Sequence, residues 1–178
     1  MSAAVFLDRD GVLTRALVRN GEAYAPVTPA ELLIDAEAPA ALAQLKAAGY
    51  LLVMVTNQPD VARGTLRRDD VETMHAMLRA ALPLDACFAC YHDDPDSCDC
   101  RKPRPGMLLQ AAATHRIDLA RSFMVGDRWR DIDAGAAAGC RTIWIDRGYR
   151  ERRPGHAPDA RVESLAAAAD WILARQIR

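Results

Sequence analysis

Short apolar runs alternate along this chain with longer segments in which apolar residues recur every three to four positions. The first run, Ala3 to Leu7, is continuous rather than alternating and ends in polar residues, which is typical of a buried strand. The longer segments have the spacing of helices with one apolar face. The pattern predicts strands at 3–7, 50–55, 86–91, 122–125 and 141–145, and helices at 38–48, 69–81, 106–115, 131–138 and, with Ser164 as its cap, from 165 to about 176.

The regular alternation of strands and helices indicates the fold class. It predicts an α/β protein of three layers, a Rossmann-like central parallel sheet with helices on both faces. The sequence has no internal repeat, low-complexity run or dividing linker, and its 178 residues suit one domain spanning 1–178. No insertion is long enough for a large cap domain, so we expect an open site bordered by the loops at 14–29, 58–64 and 92–105.

Composition and charge narrow the class of function. Lysine and arginine total 23 against 24 aspartate and glutamate, so no overall field favours nucleic acid or a membrane surface as a partner. No apolar stretch reaches the length of a membrane span, and the N-terminus leads into the first strand without a signal peptide. We therefore expect a cytoplasmic protein, and a monomer because the sequence shows neither a cap nor an evident apolar patch.

Groups of polar residues follow four of the predicted strands. Asp8 and Asp10 come directly after the first strand, where two carboxylates repel one another unless a cation or a shared proton relieves them. In a parallel sheet the carboxyl ends of the strands face one crevice, so the four groups are expected to converge. Carboxylates, a hydroxyl-amide pair and a lysine together suit Mg²⁺ and a phosphoryl group. The other three groups are Thr56 with Asn57, Arg101 with Lys102, and Asp127 with Asp131.

These groups fall within motifs that resemble a known family, the phosphatases of the haloacid dehalogenase (HAD) superfamily. The finer detail resembles the branch that contains heptose bisphosphate and histidinol phosphate phosphatases, which also has Cys-x-His followed by Cys-Asp-Cys-Arg-Lys-Pro. The resemblance covers about residues 3 to 147. Its motifs here are Asp8-Arg9-Asp10-Gly11-Val12, Val55-Thr56-Asn57-Gln58, Arg101-Lys102-Pro103 and Val125-Gly126-Asp127-x-x-x-Asp131.

The resemblance implies a role for each catalytic residue. Asp8 would be the nucleophile that forms an aspartyl-phosphate, since an ionised aspartate can attack phosphorus without a base. Asp10 would be the general acid and base, protonating the leaving alkoxide and later deprotonating water. Thr56 and Asn57 would hold the phosphoryl oxygens, and Lys102 would neutralise the charge of the phosphate.

The resemblance also implies a magnesium site. Mg²⁺ would be bound by the side chains of Asp8 and Asp127 and by the backbone carbonyl of Asp10. Asp131 would lie behind these ligands. Lysine and metal together would stabilise the transferring phosphoryl group.

Four residues in the loop at about 90–100 predict a second metal site. Cys90, His92, Cys98 and Cys100 offer three thiolates and an imidazole, a set typical of structural Zn²⁺. Cys87 is a rival ligand by spacing, but Cys90 and His92 share one face of an extended segment and are preferred. A zinc ion with four protein ligands would hold the loop and position the two basic residues that directly follow it.

Three arginines are candidate substrate contacts. Arg63 matches an Arg-Gly element that follows Thr-Asn-Gln in the heptose phosphatases, and it could contact substrate or form a salt bridge at the start of the next helix. Arg101 precedes the catalytic lysine in the phosphate-binding motif. Arg128 occupies a place often held by lysine in this branch and implies a contact with substrate phosphate or hydroxyl groups.

The substrate is less strongly indicated than the reaction. The Ala-Arg-Gly element and the segment 102–107 resemble the heptose branch and imply removal of the 7-phosphate from a heptose 1,7-bisphosphate, a small phosphorylated sugar. The five residues between His92 and Cys98 resemble the histidinol phosphate enzyme, so histidinol phosphate or another small phosphomonoester remains an alternative.

A phosphatase of nucleic-acid ends has only the basic 147–153 stretch in its favour. A zinc-stabilised binding module with a vestigial site predicts loss of a catalytic residue, and none is lost.

Two further polar features are expected to be ordinary surface. His75 lies in a predicted helix and is expected to face solvent. The segment from 147 to 153 contains four arginines and is predicted to be a solvated loop.

Overall fold

The fold is built on a six-stranded sheet in which all neighbouring strands are parallel. The computed structural model describes residues 1–175. In chain order the strands are β1 (Ala4–Leu7), β2 (Leu17–Arg19), β3 (Glu22–Tyr24), β4 (Leu51–Asn57), β5 (Ala86–Cys90), β6 (Phe123–Gly126), β7 (Arg141–Ile145) and β8 (Ala160–Val162). The order within the large sheet is β5-β4-β1-β6-β7-β8, while β2 and β3 form a separate antiparallel pair.

Helices on both faces of this sheet make the three layers. Val5 and Leu7 of β1 lie in one apolar core and Ala4 and Phe6 in the other, because successive side chains of a strand point to opposite faces. The α/β prediction is confirmed. The helices are α1 (Ala38–Ala47), α2 (Arg68–Ala81), α3 (Gly106–His115), α4 (Trp129–Ala138) and α5 (Leu165–Leu173).

The helix boundaries agree closely with the apolar pattern. The Ser164 hydroxyl accepts a hydrogen bond from the backbone N–H of Ala167, as expected of an N-cap. The last helix ends at Leu173, and the predicted end near residue 176 lies outside the described residues. Within residues 1–175, no helix combines the length and the apolar character needed to cross a membrane.

The segment at 14–29 contains a β-hairpin, so the prediction of a plain loop was wrong there. β2 pairs with β3, and the turn between them is Asn20-Gly21, with φ of 54° and 80°. Two consecutive left-handed residues match the twist of a hairpin, and Asn-Gly is the pair that adopts them most readily. Each strand has only three residues, too few for a clear alternation of apolar and polar positions. The hairpin stands beside the carboxyl edge of the large sheet and is too small to be a cap domain.

A last strand, β8, was also missed by the prediction. It pairs with β7 at the edge of the sheet and has three residues with Arg161 at its centre. A short edge strand with a central arginine has no apolar run to reveal it.

Candidate active site and metal centres

A cleft of about 400 Å³ opens at the carboxyl edge of the large sheet. A second cleft, of about 440 Å³, lies at the opposite edge beside Tyr50, Arg121 and Arg141 and contains none of the predicted residues. The predicted catalytic and phosphate-binding residues thus converge in one place, as expected for side chains that follow parallel strands. The first cleft is lined by Asp8, Asp10, Thr56, Asn57, Arg63, Arg101, Lys102, Arg128 and Asp131, among others.

Lys102 stands at the bottom of this cleft between two carboxylates. Its Nζ donates to Oδ1 of Asp8 at 2.8 Å, to Oδ1 of Asp131 at 2.6 Å and to the carbonyl of Val55 at 2.8 Å. These acceptors satisfy all three donors of the ammonium group. Burial opposes the charge of Lys102, but the carboxylates of Asp131 and Asp8 outweigh it and raise the lysine pKa. Burial, with repulsion from Asp131, raises the pKa of Asp8 to about 6.

Asp127, Asp8 and Asp131 form a carboxylate cluster that fits a divalent cation. One oxygen from each lies within 4.8 Å of the others. Among residues 1–175, Oδ1 of Asp127 is buried and has no hydrogen-bond partner, a costly arrangement unless an ion binds there. Burial, followed by repulsion from Asp8 and Asp131, raises the pKa of Asp127 well above its ordinary value. Hard carboxylate oxygens converging in this way could hold Mg²⁺.

Gly11 allows the turn after β1 to pass close to this cluster. Its φ is +89°, and a Cβ at this position would overlap Oδ2 of Asp127. Only glycine therefore lets the backbone beside Asp10 approach the carboxylates.

Asp131 has both carboxylate oxygens engaged. Oδ1 accepts from Lys102, and Oδ2 accepts from the backbone N–H of Arg128 at 3.0 Å, at the start of α4. A carboxylate occupied in this way is suited to orient Lys102 and the turn after β6. The expected place of Asp131 behind the metal ligands stays a prediction, because its carboxylate belongs to the same cluster as those of Asp8 and Asp127.

Asp10 is held by side chains that the sequence analysis did not select. The guanidinium of Arg9 forms a bidentate salt bridge with the Asp10 carboxylate. Its Nε donates to Oδ1 at 3.0 Å, and its Nη2 donates to Oδ2 at 2.8 Å. Gln58 Nε2 also donates to Oδ2 at 3.1 Å, and the Thr14 hydroxyl lies 3.3 Å from Oδ1. The sequence does contain a signal for this role of Arg9, because it is a single basic residue between two aspartates.

Thr56 and Asn57 lie at the end of β4, on the border of the cleft. The buried Thr56 hydroxyl accepts from Gln58 Nε2 at 2.9 Å. The side-chain amide of Asn57 bridges the backbone of Lys102, donating to its carbonyl and accepting from its N–H, each at 3.0 Å. Asn57 thus ties the lysine backbone to β4, and within the described residues the second N–H of its amide makes no hydrogen bond and could bind an oxygen of a ligand.

Cys90, His92, Cys98 and Cys100 come together in the loop that follows β5. Their Sγ–Sγ separations are 3.0 to 3.6 Å, and His92 Nδ1 lies 3.3 Å from Cys100 Sγ. In a tetrahedral zinc site the sulfur atoms are roughly 3.8 Å apart. The separations here are somewhat shorter than this, and a small outward movement of the side chains would let the four ligands bind Zn²⁺. Cys87 lies outside this cluster and packs against the apolar core, which favours Cys90 over Cys87 as a ligand.

Arginines and aspartates link the cysteine loop to the cleft. Arg63 forms a fork with Asp93, with contacts of 2.6 and 2.9 Å, so its salt bridge reaches the loop rather than the next helix. Arg101 Nε contacts Asp94 at 2.7 Å. Arg130, which the sequence analysis did not select, also lines the cleft and contacts Asp94 at 3.4 Å.

The segment from 147 to 153 is irregular and its four arginines are exposed, as predicted for a solvated loop, but it also lies against the site. Arg147 donates to the carbonyl of Gly11, with Nη2 at 3.0 Å, and the Tyr149 hydroxyl donates to Oδ2 of Asp127 at 2.8 Å. Glu151 forms a fork with Arg128, with contacts of 2.9 Å. Alternating side chains of this segment therefore support the cation cluster and a cleft arginine.

His75 is buried, so its prediction as a surface residue was also wrong. It lies on the face of α2 that carries Val71, Met74 and Leu78, a stripe of buried positions three to four residues apart. Its Nε2 stands 3.3 Å from Nη1 of Arg9. Burial, with the charge of Arg9, lowers the pKa of His75 to about 4, so the imidazole is neutral near pH 7.

Known proteins resemble this chain over nearly its whole length. A family model described as HAD-hydrolase-like matches residues 99–168. The D-glycero-beta-D-manno-heptose-1,7-bisphosphate 7-phosphatase of Salmonella typhi is 38% identical, covering 96% of this chain and 89% of its own. The protein of the same name from Pasteurella multocida is 42% identical over 78% of each chain.

Solved structures show the same similarity in three dimensions. The crystal structure of D,D-heptose 1,7-bisphosphate phosphatase from B. bronchiseptica, complexed with magnesium and phosphate, superposes with a TM-score of 0.81 and 31% identity. It covers 97% of this chain and 98% of its own. The corresponding phosphatase from Burkholderia thailandensis gives a TM-score of 0.66 at 29% identity, covering 97% and 99%.

Proposed function

The chain belongs to the HAD-like hydrolases, in the family of the heptose-1,7-bisphosphate 7-phosphatases, and from this membership we propose that it removes the 7-phosphate of D-glycero-D-manno-heptose 1,7-bisphosphate. The chain is a phosphatase of the HAD type. The buried contact of Lys102 with Asp8, beside the unpaired oxygen of Asp127, carries the proposal most directly. The relatives are named for the β anomer, which is the anomer we propose here.

Asp8 serves as the nucleophile in this proposal. Lys102 holds its Oδ1, and within residues 1–175 the other carboxylate oxygen accepts no hydrogen bond, which leaves it for attack. That oxygen bonds to phosphorus while the bond from phosphorus to the sugar oxygen breaks. The ammonium of Lys102 neutralises charge on the phosphoryl oxygens, and Thr56 and the free amide N–H of Asn57 orient them.

Asp10 moves the protons. It donates one to the leaving sugar alkoxide, becomes a carboxylate and then takes one from the water that attacks the aspartyl-phosphate. Inorganic phosphate leaves, and Asp8 and Asp10 return to their starting forms. Protonation matters because a sugar alkoxide is a poor leaving group.

The carboxylates of Asp8 and Asp127, with the backbone carbonyl of Asp10, would hold Mg²⁺. When bound, the ion supplies positive charge that stabilises the transferring phosphoryl group. Asp131 orients Lys102 behind these ligands. Zn²⁺ at the cysteine cluster would fix the loop that carries Arg101 and Lys102, and its thiolates suit the reducing cytoplasm in which we place the protein.

The arginines around the cleft support a substrate with a second phosphate. Arg63, Arg101 and Arg128 line the same cleft as the nucleophile, and each is already paired with a carboxylate that a phosphate could replace. A monophosphate of similar size would leave part of this positive charge without a partner.

Steady-state phosphate release with Mg²⁺ tests the proposal. The panel contains both anomers of heptose 1,7-bisphosphate, histidinol phosphate, other sugar phosphates and a 3′-phosphorylated oligonucleotide, with Asp8→Asn as the blank. We expect kcat/KM for the β anomer to exceed that for the chemically different substrates by about a hundredfold, which corresponds to some 2.7 kcal/mol of discrimination. Preference for histidinol phosphate, or uniformly slow turnover, would refute the substrate assignment. No turnover above the blank would support a binding module with a vestigial site.

A further inference from the structure

A buried polar chain runs from helix α2 to the proposed acid. His75 contacts Arg9, and Arg9 contacts Asp10, while His75 itself is neither among the described residues that line the cleft nor part of the carboxylate cluster. Arg9 and His75 are 0% and 1% exposed, so water does not substitute for either contact. An imidazole in the middle of an apolar stripe requires a compensating hydrogen bond, and Arg9 supplies it.

The Arg9 guanidinium contacts Asp10 with one edge and His75 with the other. Nε and Nη2 bind the Asp10 carboxylate as a fork, and Nη1 points to Nε2 of His75. The fork joins adjacent residues, whose backbone alone cannot fix a long side chain with several rotatable bonds. A third contact on the opposite edge restricts the rotation of the guanidinium and so the position of the carboxylate.

The protonation state of His75 suits this arrangement. A guanidinium is always charged and only donates, so Nε2 of His75 must accept and the ring proton must be on Nδ1. Glu72, whose carboxylate is 3.9 Å from Nδ1, is beyond hydrogen-bonding distance. The neutral ring adds no second positive charge beside Arg9.

We propose that His75 is a positioning residue, which fixes the Arg9 guanidinium and through it aims the Asp10 carboxyl group at the leaving oxygen. The inference rests on the role of Asp10 as general acid in the proposed function. Gln58 and Thr14 also contact Asp10, so the loss of His75 lowers the efficiency of the acid rather than abolishing it.

Substrates with different leaving groups separate this role from a purely structural one. The kcat/KM of an aspartyl-phosphate enzyme reports the steps up to release of the first leaving group. A sugar alkoxide needs the acid in that step, whereas p-nitrophenolate leaves without it. For His75→Leu we expect kcat/KM to fall about tenfold with heptose 1,7-bisphosphate and less than about twofold with p-nitrophenyl phosphate. His75→Gln, which returns an acceptor near Nε2, should recover the sugar phosphatase activity to within about threefold of the wild type.

Two reference variants make the outcomes distinct. Leu78→Ala disturbs the same buried stripe of α2. It should leave unchanged the ratio of kcat/KM for heptose 1,7-bisphosphate to kcat/KM for p-nitrophenyl phosphate. Asp10→Asn should lower this ratio of kcat/KM values more than His75→Leu lowers it. All assays are run below the midpoint of thermal unfolding of every variant.

Equal losses on both substrates for His75→Leu, or no rescue by His75→Gln, would overturn the inference while Asp10→Asn still discriminates. If Asp10→Asn lowered both substrates equally, the proposed acid role would fail, and the inference with it.

Discussion

Lys102 Nζ lies 2.8 Å from Oδ1 of Asp8, and both side chains are buried. The two residues are 94 positions apart in the chain, so the folded sheet alone brings them together. A buried ammonium without its carboxylates would be costly, and a pair of carboxylates without the ammonium equally so. The contact therefore couples stability to the proposed phosphoryl chemistry.

Lys102→Met should reduce kcat/KM for heptose 1,7-bisphosphate by about 10²- to 10³-fold, because a charge preorganised for the phosphoryl oxygens is lost. It should also lower the free energy of unfolding by about 3 kcal/mol, since Asp8 and Asp131 lose their buried counterion. Steady-state kinetics and urea unfolding measure both effects. Lys46→Met, which removes an exposed ion pair with Asp85, is the control. Activity within threefold of the wild type would contradict the role of Lys102.

The stability of the metal-free protein should fall as the pH rises from about 4 to about 6. Burial and repulsion from Asp131 raise the pKa of Asp8 to about 6, so the folded state retains a proton that the unfolded chain has released. The loss is on the order of 3 kcal/mol across this window. Urea unfolding without Mg²⁺ measures it as the difference between the wild type and Asp8→Asn, which lacks the titrating group. A difference independent of pH would contradict the prediction.

Removing a zinc ligand should release the metal and weaken the site at a distance. Cys100→Ala is expected to lower the bound zinc from one per chain to none and to reduce kcat, because the loop that carries Lys102 loses its anchor. Metal analysis and phosphate release measure the two effects. Cys87→Ala should keep one zinc per chain, since Cys87 lies outside the cluster. Loss of zinc from Cys87→Ala would show that the ligand set is different.

Tyr149→Phe should weaken the binding of Mg²⁺ by about tenfold. The hydroxyl of Tyr149 holds Oδ2 of Asp127 at 2.8 Å and so orients the carboxylate whose other oxygen is unpaired. Calorimetric titration with Mg²⁺ measures the affinity without any substrate. Tyr91→Phe removes a hydroxyl that contacts exposed Glu72 and should leave the affinity unchanged. Equal affinities for Tyr149→Phe and the wild type would refute this role.

The strand-end residues could be predicted from sequence because two simple rules act together. Continuous apolar runs identify strands buried on both faces, and parallel strands place the residues that follow them at one edge. Asp8 and Asp127 directly follow their strands and obey both rules, and Thr56 is the second-last residue of β4. The cysteine cluster was predictable for a different reason, since its ligands are close in sequence.

The supporting residues could not be predicted in the same way. Tyr149 contacts Asp127, 22 positions away, from the irregular segment after β7, where no periodicity indicates the direction of a side chain. His75 could have been placed in the core, because it shares the three-to-four spacing of Met74 and Leu78. A polar side chain favours an exposed position, whereas the place of this one in the helix predicts a buried position. The buried guanidinium of Arg9 explains why the position is polar.

The most direct test of the account is identification of the covalent intermediate. The protein is mixed with substrate and Mg²⁺, quenched with acid within one turnover and treated with borohydride, which reduces an acyl phosphate to an alcohol. Peptide mass spectrometry should find homoserine at position 8, and the Asp8→Asn variant should show no such product. Reduction at another carboxylate, or normal turnover with no modified residue, would contradict the role of Asp8 as nucleophile.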